Sequence, residues 1–406
     1  MKVMTLNCGS SSVKYALFDM QDRTRLCHGI VERVILGSSF IEHFNLDGQK
    51  YIHYHECPTH ARAIRLIIDF LINSERGVIG ALSEIRAVGH RVVHGGEKFS
   101  EPAIIDDKVI ERIDECSVLA PLHNPANLAG IRAIMKLMPN ILQAAIFDTA
   151  FFTTMPPHVF TYGVPYQWYE KYRVRKYGFH GTSHRYVSKR AAALLGKKPH
   201  EVNLITLHIG NGVSVTAIKG GVAYDHSMGF TPLAGAVMGT RCGDIDPGIL
   251  LYVMGKENLG RQDMEDILYT KSGLFGITGK YIDRREIIKA MKAGDERARL
   301  SFEVECYGLR RYIGAYVAAI GGVDAVVFTG GVGENSVLHR SKICEGLEFF
   351  GIKFDHKKNK QAVGGGREME ISSPVSRVKV FVIPTDEELM IAEDTFELLR
   401  NSGQHN

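Results

Sequence analysis

The first residues of the chain place apolar positions on either side of a polar interruption. Positions 3–6 read as a strand, 7–12 as a small turn of glycine and serine, and 13–18 as a returning strand. This predicts a β-hairpin with a polar tip. The pattern returns in the second half, where 204–207, 208–212 and 213–218 repeat strand, tip and strand. Set side by side without a gap, Thr5-Leu6 matches Thr206-Leu207 and Gly9 matches Gly210. A repeat near the start of each half predicts a duplicated, two-domain architecture.

Between the hairpins, 61–73 and 127–138 carry apolar residues at helical spacing, the second stopped by Pro139. Positions 85–93 and 141–147 read as buried strands. Further on, 295–320 predicts a long helix. Positions 325–329 then predict a strand entering a glycine-rich turn at Gly330-Gly331-Val332-Gly333. A last strand at 378–383 leads through Pro384-Thr385 into a closing helix. Strands alternating with helices predict an α/β fold. The stretch 153–165, with its prolines, marks a candidate boundary. The domains expected are 1–150 with 386–406, and 151–385.

Composition narrows the class. With 45% hydrophobic and 23% charged residues the chain is an ordinary globular protein, not a disordered tail or a collagen-like repeat. The net charge of +4 over 406 residues is too small to argue for nucleic acid or a membrane surface. No apolar run reaches the roughly 18 residues of a spanning helix, and the first one breaks at Asn7, short of a signal peptide. Seven scattered cysteines without a CxxC fit reduced thiols and offer no zinc framework. The expectation is a cytoplasmic enzyme.

Two nucleotide motifs are absent: GxxxxGK[ST] is not found, and GxGxxG fails at Gly210 and at Gly331 for want of a third glycine. Five polar clusters remain. Asn7-Cys8-Gly9-Ser10-Ser11-Ser12-Val13-Lys14 offers glycine, hydroxyls and a cation to an anion, or is a plain serine-rich hairpin. The second cluster is the other hairpin tip, His208-Ile209-Gly210-Asn211-Gly212. The third, Thr329 to Asn335, is a place for a nucleotide against backbone, or a tight connection. The fourth sets Arg91 and Arg241 among small residues, suited to bidentate binding of carboxylate or phosphate, or to an internal salt bridge with Asp244 or Asp246. His90 and His94 lie four apart but without the glutamate of HExxH. The fifth joins Asp148, at the carboxyl end of a strand, with the glycine-flanked His180.

In this order the clusters resemble the acetate kinase family, which includes the propionate kinases. The segments are NCGSSSVKY, GHRVVHGG, FDTAFF, YGFHGTSH, HIGNG, MGTRCGDIDPG, FTGGVGENS and IPTDEELMIA, and the likeness runs from Val3 to about Ala392. It implies the fold of sugar kinases, Hsp70 and actin: two duplicated, ribonuclease H-like domains with ATP in the cleft. It also implies a homodimer, and Mg²⁺, for which Mn²⁺ substitutes, as cofactor. The reaction implied is ATP + acetate ⇌ ADP + acetyl phosphate, with propionate as the alternative acceptor.

By position in the matched motifs, Arg91 and Arg241 hold the carboxylate and the transferring phosphoryl group, and His180 hydrogen-bonds that group. Asp148 is the acid/base candidate. Asn7 and Glu387 match the magnesium site, with Ser10, Ser12 and Lys14 nearby. Lys14, His208, Ile209, Gly210, Asn211, Gly212, Asp283, Arg284, Arg285, Gly331, Val332, Gly333, Glu334 and Asn335 match the nucleotide site. Val93, Leu122, Phe179 and Pro232 match an apolar pocket for the acyl methyl group, with His123 beside it. Cys242 stands where serine is usual, and 278–285 departs from the usual Ser-Ser-Asp-x-Arg run, which bears on the adenine side. Actin-like and Hsp70-like proteins of the same fold phosphorylate no acceptor. They have no need of Arg91, Arg241 and an acyl pocket.

A carboxylate with a pKa of about 4–5 is already an anion at neutral pH, so the acceptor needs no base. The task left to the protein is positioning and charge neutralisation. Branched Val93 at the acyl pocket favours acetate over propionate.

Overall fold

The first hairpin forms as β1 (Lys2–Cys8) and β2 (Ser12–Asp19), antiparallel, with Asn7 opposite Lys14. The structure is a computed structural model and describes residues 1–121 and 123–402. Strands β3 (Thr24–Glu32), β4 (Phe40–Asn45) and β5 (Lys50–Tyr54) continue the antiparallel run. The hydrophobic pattern did not mark these three, because β5 is largely exposed and its neighbours bury only scattered positions. On the other side of β1, β6 (Ile85–Val92) pairs parallel. After β7 (Ala103–Ile104), β8 (Leu142–Phe147) pairs parallel with β6. The sheet order is β5-β4-β3-β2-β1-β6-β8-β7.

The second hairpin is β9 (Leu204–Ile209) and β10 (Val213–Lys219), followed by β11 (Val222–His226), β12 (Ala325–Thr329), β13 (Met369–Glu370) and β14 (Lys379–Val382). Their order is β11-β10-β9-β12-β14-β13. Without the edge strands, β3-β2-β1-β6-β8 and β11-β10-β9-β12-β14 have one arrangement: two antiparallel neighbours on one side of the first strand and two parallel strands on the other. Thr5 and Thr206, matched in the sequence, sit on the equivalent strands β1 and β9. The fold is a duplicated α/β architecture.

The chain divides into two compact units, Met1–Phe151 with the segment from Asp386 onward, and Phe152–Thr385. In the first, Met4 and Leu6 of β1 pack toward the helices His60–Leu71 and Asn124–Leu137. Val3 and Ala16 face the closing helix Glu387–Asn401 through Ala392. Gly89 has to be glycine, since a Cβ there would run into Thr395 and Ile391 of that helix. In the second unit the helices Gly181–Leu194 and Glu296–Ile320 pack on the sheet. Asp295 caps the long helix by accepting from the Ala298 N–H at 2.9 Å, so it stands one place before it.

Two expectations shift. The helix expected from 127 begins at Asn124, with Pro125 in its first turn. The turn expected at Gly330-Gly331-Val332-Gly333 is a short helix, Gly330–Asn335, entered directly from β12. Only Gly330 takes a positive φ (75°), and a Cβ on it would lie 3.0 Å from the Ile209 backbone.

Candidate active site

In the first unit, adjacency of β1, β6 and β8 gathers residues far apart in sequence. Arg91 lies near the carboxyl end of β6, Asp148 follows the last residue of β8, and Asn7 lies near the end of β1. The Arg91 guanidinium donates to both Asp148 oxygens, Nε to Oδ1 at 3.0 Å and Nη2 to Oδ2 at 2.5 Å. Nη1 donates to Asn7 Oδ1 at 3.2 Å, and Glu387 Oε2 lies 3.8 Å from Nε. Burial works against the charge of Arg91, but Asp148 and Glu387 outweigh it and hold the guanidinium protonated. Burial raises the Glu387 carboxyl above its usual range, and Arg91 offsets part of that rise.

Backbone around this group is pinned by two side chains the sequence reading passed over. Asn127 accepts from the Val93 N–H (3.1 Å) and donates to the Cys8 carbonyl (2.8 Å). Asn124 accepts from the His94 N–H and donates to its carbonyl. Their signal was available: two asparagines one turn apart on the buried side of a helix. His90 and His94 make no metal pair. His90 is bonded to Gln143 at 2.8 Å and His94 Nδ1 accepts from the Gly96 N–H, and burial lowers each to about 4. Val93 is buried and His123 half-buried in this unit, whereas Phe179 and Pro232 belong to the second. Leu122 lies outside the described residues. Lys14 is exposed on β2.

In the second unit His180 stands at the N-terminal end of the helix Gly181–Leu194 with φ 57° and ψ 29°, a left-handed conformation rare outside glycine. Its Nδ1 lies 2.8 Å from Ser214 Oγ on β10, and its ring stacks on His208 at 4.3 Å. His208 Nδ1 lies 2.8 Å from Ser183 Oγ, which accepts from the Thr385 hydroxyl. A Cβ on Gly212 would lie 3.3 Å from His180 Nε2 and 3.7 Å from Arg241 Nη1, so glycine lets both side chains approach the backbone there. Arg241 forms no ion pair among the described residues and donates to the Pro232 carbonyl at 3.1 Å. Asp244 and Asp246, the alternative partners, are engaged elsewhere: Asp244 with Gly235 and Tyr312, Asp246 as a helix cap. A half-buried guanidinium without a counter-ion is suited to an incoming anion.

Beside this group lies a cavity of about 1060 Å³, the size of a small-molecule site. Of the expected nucleotide residues, Gly210, Asn211, Asp283, Arg284, Arg285, Gly331, Val332 and Asn335 line it, as do Lys280 and Ile282 from the departing segment. Others serve the scaffold. Glu334 accepts from the Gly330 and Thr385 N–H groups, Ile209 is fully buried, and the Gly333 carbonyl accepts from buried Arg340. Arg284 is mostly buried, pairs with Glu305 at 2.6 Å and donates to the Gly210 carbonyl at 2.9 Å. Glu305 in turn meets His339 at 3.3 Å, and His339 lies 2.6 Å from Ser336. Nothing in the sequence pattern marks Glu305, His339 or Arg340, which lie within ordinary helical patterns.

Four likenesses to known proteins accompany this geometry. The family model described as Acetokinase family matches residues 2–393. An acetate kinase of Geobacter metallireducens is 55% identical over 98% of this chain and 95% of its own length. The crystal structure of Porphyromonas gingivalis acetate kinase superposes with a TM-score of 0.93 at 50% identity, covering 98% of this chain and 99% of that one. A propionate kinase from Francisella tularensis superposes with a TM-score of 0.90 at 39% identity, covering the same shares of the two chains.

Proposed function

Because the chain belongs to the Acetokinase family, we propose that it transfers the γ-phosphoryl group of ATP reversibly to acetate, giving ADP and acetyl phosphate. The observation that carries the reading is Arg241. Among the described residues it is a half-buried cation without a carboxylate partner, and it approaches Gly212 together with His180.

In this reading the cavity along Gly210–Asn211 and Gly331–Asn335 takes the nucleotide. His180 and Arg241 meet the phosphoryl oxygens, and Arg91 contributes its cation toward the acceptor. Asp148 is held bidentate by Arg91, so its work is to orient that guanidinium and not to remove a proton. The acceptor arrives as a carboxylate and has none to give up at neutral pH. Catalysis then rests on in-line positioning and on donors aimed at oxygens where charge is spread.

The family implies a divalent cation. Asn7 Oδ1 and the incompletely compensated Glu387 carboxylate are hard oxygen donors of the kind Mg²⁺ takes, two of them with phosphate and water completing the shell. Bound there, Mg²⁺ or Mn²⁺ supplies neutralisation of the phosphate oxygens. A homodimer and a cytoplasmic location complete the reading. The helix Pro247–Glu257 buries none of its residues although it carries Ile249, Leu251 and Tyr252, an apolar face of the kind a second copy covers. No helix among the described residues is long and apolar enough to cross a membrane.

The test is trapping of acyl phosphate as hydroxamate with Mg-ATP and acetate, propionate or butyrate in parallel. Acetate is expected to lead in kcat/KM. One methylene in an apolar pocket is worth only roughly 10–200-fold, and Val93→Ala is expected to narrow the gap between acetate and propionate. Propionate equal to acetate would move the protein to the propionate branch, and no product with any acid would overturn the acceptor.

A further inference from the structure

We propose that Arg284 is a positioning residue for the nucleotide. It ties the second hairpin tip to a buried charge on the long helix, and so fixes the walls of the cavity before ADP or ATP arrives. The proposal rests on the reading of that cavity as the nucleotide site.

Four segments around the cavity meet at one buried point. The helix Arg284–Lys292 contributes Arg284 as its first residue, with Asp283 as its cap. Arg284 Nη1 donates to the Gly210 carbonyl at 2.9 Å, in the tip between β9 and β10. Its Nε donates to Glu305 Oε1 at 2.8 Å, and Nη2 lies 2.6 Å from the same oxygen. Glu305 belongs to the long helix Glu296–Ile320. Its other oxygen lies 3.3 Å from His339 Nε2, and His339 Nδ1 lies 2.6 Å from Ser336 Oγ, just before the helix Val337–Cys344. Gly210, Arg284 and Ser336 all line the cavity. Arg284, Glu305 and His339 are buried, so these bonds form away from bulk water.

The direction of each bond follows from the groups. A guanidinium has donors only, and the Gly210 carbonyl only accepts. Arg284 and His339 outweigh the effect of burial and hold Glu305 in its charged form, so its oxygens accept from both sides. One planar fork therefore spans a carboxylate and a backbone carbonyl that lies outside the strand ladder. Without the fork the tip keeps its own turn bond, Gly210 N–H to the Gly212 carbonyl at 3.0 Å, and loses its tie to the long helix. A nucleotide would then have to order the tip on binding, at the expense of affinity. Arg284 stands at the place the Ser-Ser-Asp-x-Arg run leaves open, so likeness to the family does not by itself account for an arginine there.

The experiment is calorimetric titration of ADP into the full-length protein, with kcat and KM for ATP and acetate measured alongside. Arg284→Lys keeps a cation beside Glu305 but not the fork. It is expected to unfold near the parent's temperature and to bind ADP about tenfold more weakly, the order of one charge-assisted hydrogen bond. KM for ATP is expected to rise by a similar factor, with kcat and KM for acetate nearly unchanged. The double variant Arg284→Met, Glu305→Gln removes both charges together, which a fold tolerates better than removal of one, and is expected to show the same loss. ADP held as tightly as by the parent in either variant that folds overturns the proposal. A loss in kcat and in acetate KM as large as the loss in ADP affinity also overturns it, since Arg284 would then serve the scaffold as a whole. Photolabelling of the parent with 8-azido-ADP, mapped by mass spectrometry, tests the reading beneath. Label is expected within 210–211, 280–288 or 331–338. Label wholly outside these segments overturns that reading, and the proposal with it.

Discussion

Arg91 and Arg241 share a residue type and differ in company. Arg91 is tied to Asp148 through three short contacts and flanked by Glu387, whereas Arg241 meets only carbonyl and sulfur acceptors among the described residues. A bidentate pair fixes a guanidinium plane, and Asn cannot reproduce it. Asp148→Asn is therefore expected to lower kcat/KM for acetate while leaving the shape of the pH profile intact, since no proton transfer is removed. Breaking a buried pair also costs up to about 3 kcal/mol of stability, readable by thermal unfolding. A pH profile that loses one limb in this variant would restore the acid/base role to Asp148.

Single helices and strands act here through what they carry at their ends and on their open faces. The long helix Glu296–Ile320 brings Glu305 beneath the nucleotide cavity, where it joins Arg284 to His339. Burial pushes the Glu305 carboxyl up, but Arg284 and His339 outweigh it and hold it at about 2. A carboxyl lowered on folding stabilises fully above its unfolded pKa and loses that contribution as pH falls toward its folded one. Glu305→Gln, which leaves Arg284 buried without its charge partner, is expected to cost about 3–5 kcal/mol near neutral pH. The difference from the parent should shrink between about pH 5 and pH 2, as denaturant titrations at several pH values would show. The helix Pro247–Glu257 makes the opposite case, an apolar element none of whose residues is fully buried among the described residues. Leu251 is 77% and Tyr252 67% exposed. Leu251→Asp is expected to turn a dimer into monomers in sedimentation equilibrium. A monomeric parent at micromolar concentration would remove the dimer from the reading.

At the scale of the whole chain, the first unit is closed by residues that come last. Ile391 and Ala392 pack on its sheet, and Gly89 is shaped to admit the closing helix. Truncation after Thr385 strips that face and removes Glu387. The truncated chain is expected to expose residues 1–151 to limited proteolysis and to form no acyl phosphate. Protection equal to the parent would show that the first unit folds without its closing helix.

The two hairpins, the parallel strands after them and the duplication were legible in the sequence, because strand alternation and polar tips are local and recur within each half. Motif order also made the family legible, and with it Arg91, Asp148, His180 and Arg241 as a group to look for. The short helix at Gly330–Asn335 was not, since glycines read as a turn until β9 packs against them. Nor were Asn124, Asn127, Glu305 or Arg340, whose polar side chains lie within patterns that predict only helices. What the sequence by itself determined is which residue types are present, in what order, and the local elements they form. Only the tertiary structure decided their company. Hydrogen bonds and ion pairs act over about 3 Å, and positions separated by tens to hundreds of residues reach that range only once β1, β6 and β8, or β9 and β10, lie side by side. That Arg91 meets Asp148 and Asn7, and that Ser214 sits between two histidines, follows from that adjacency.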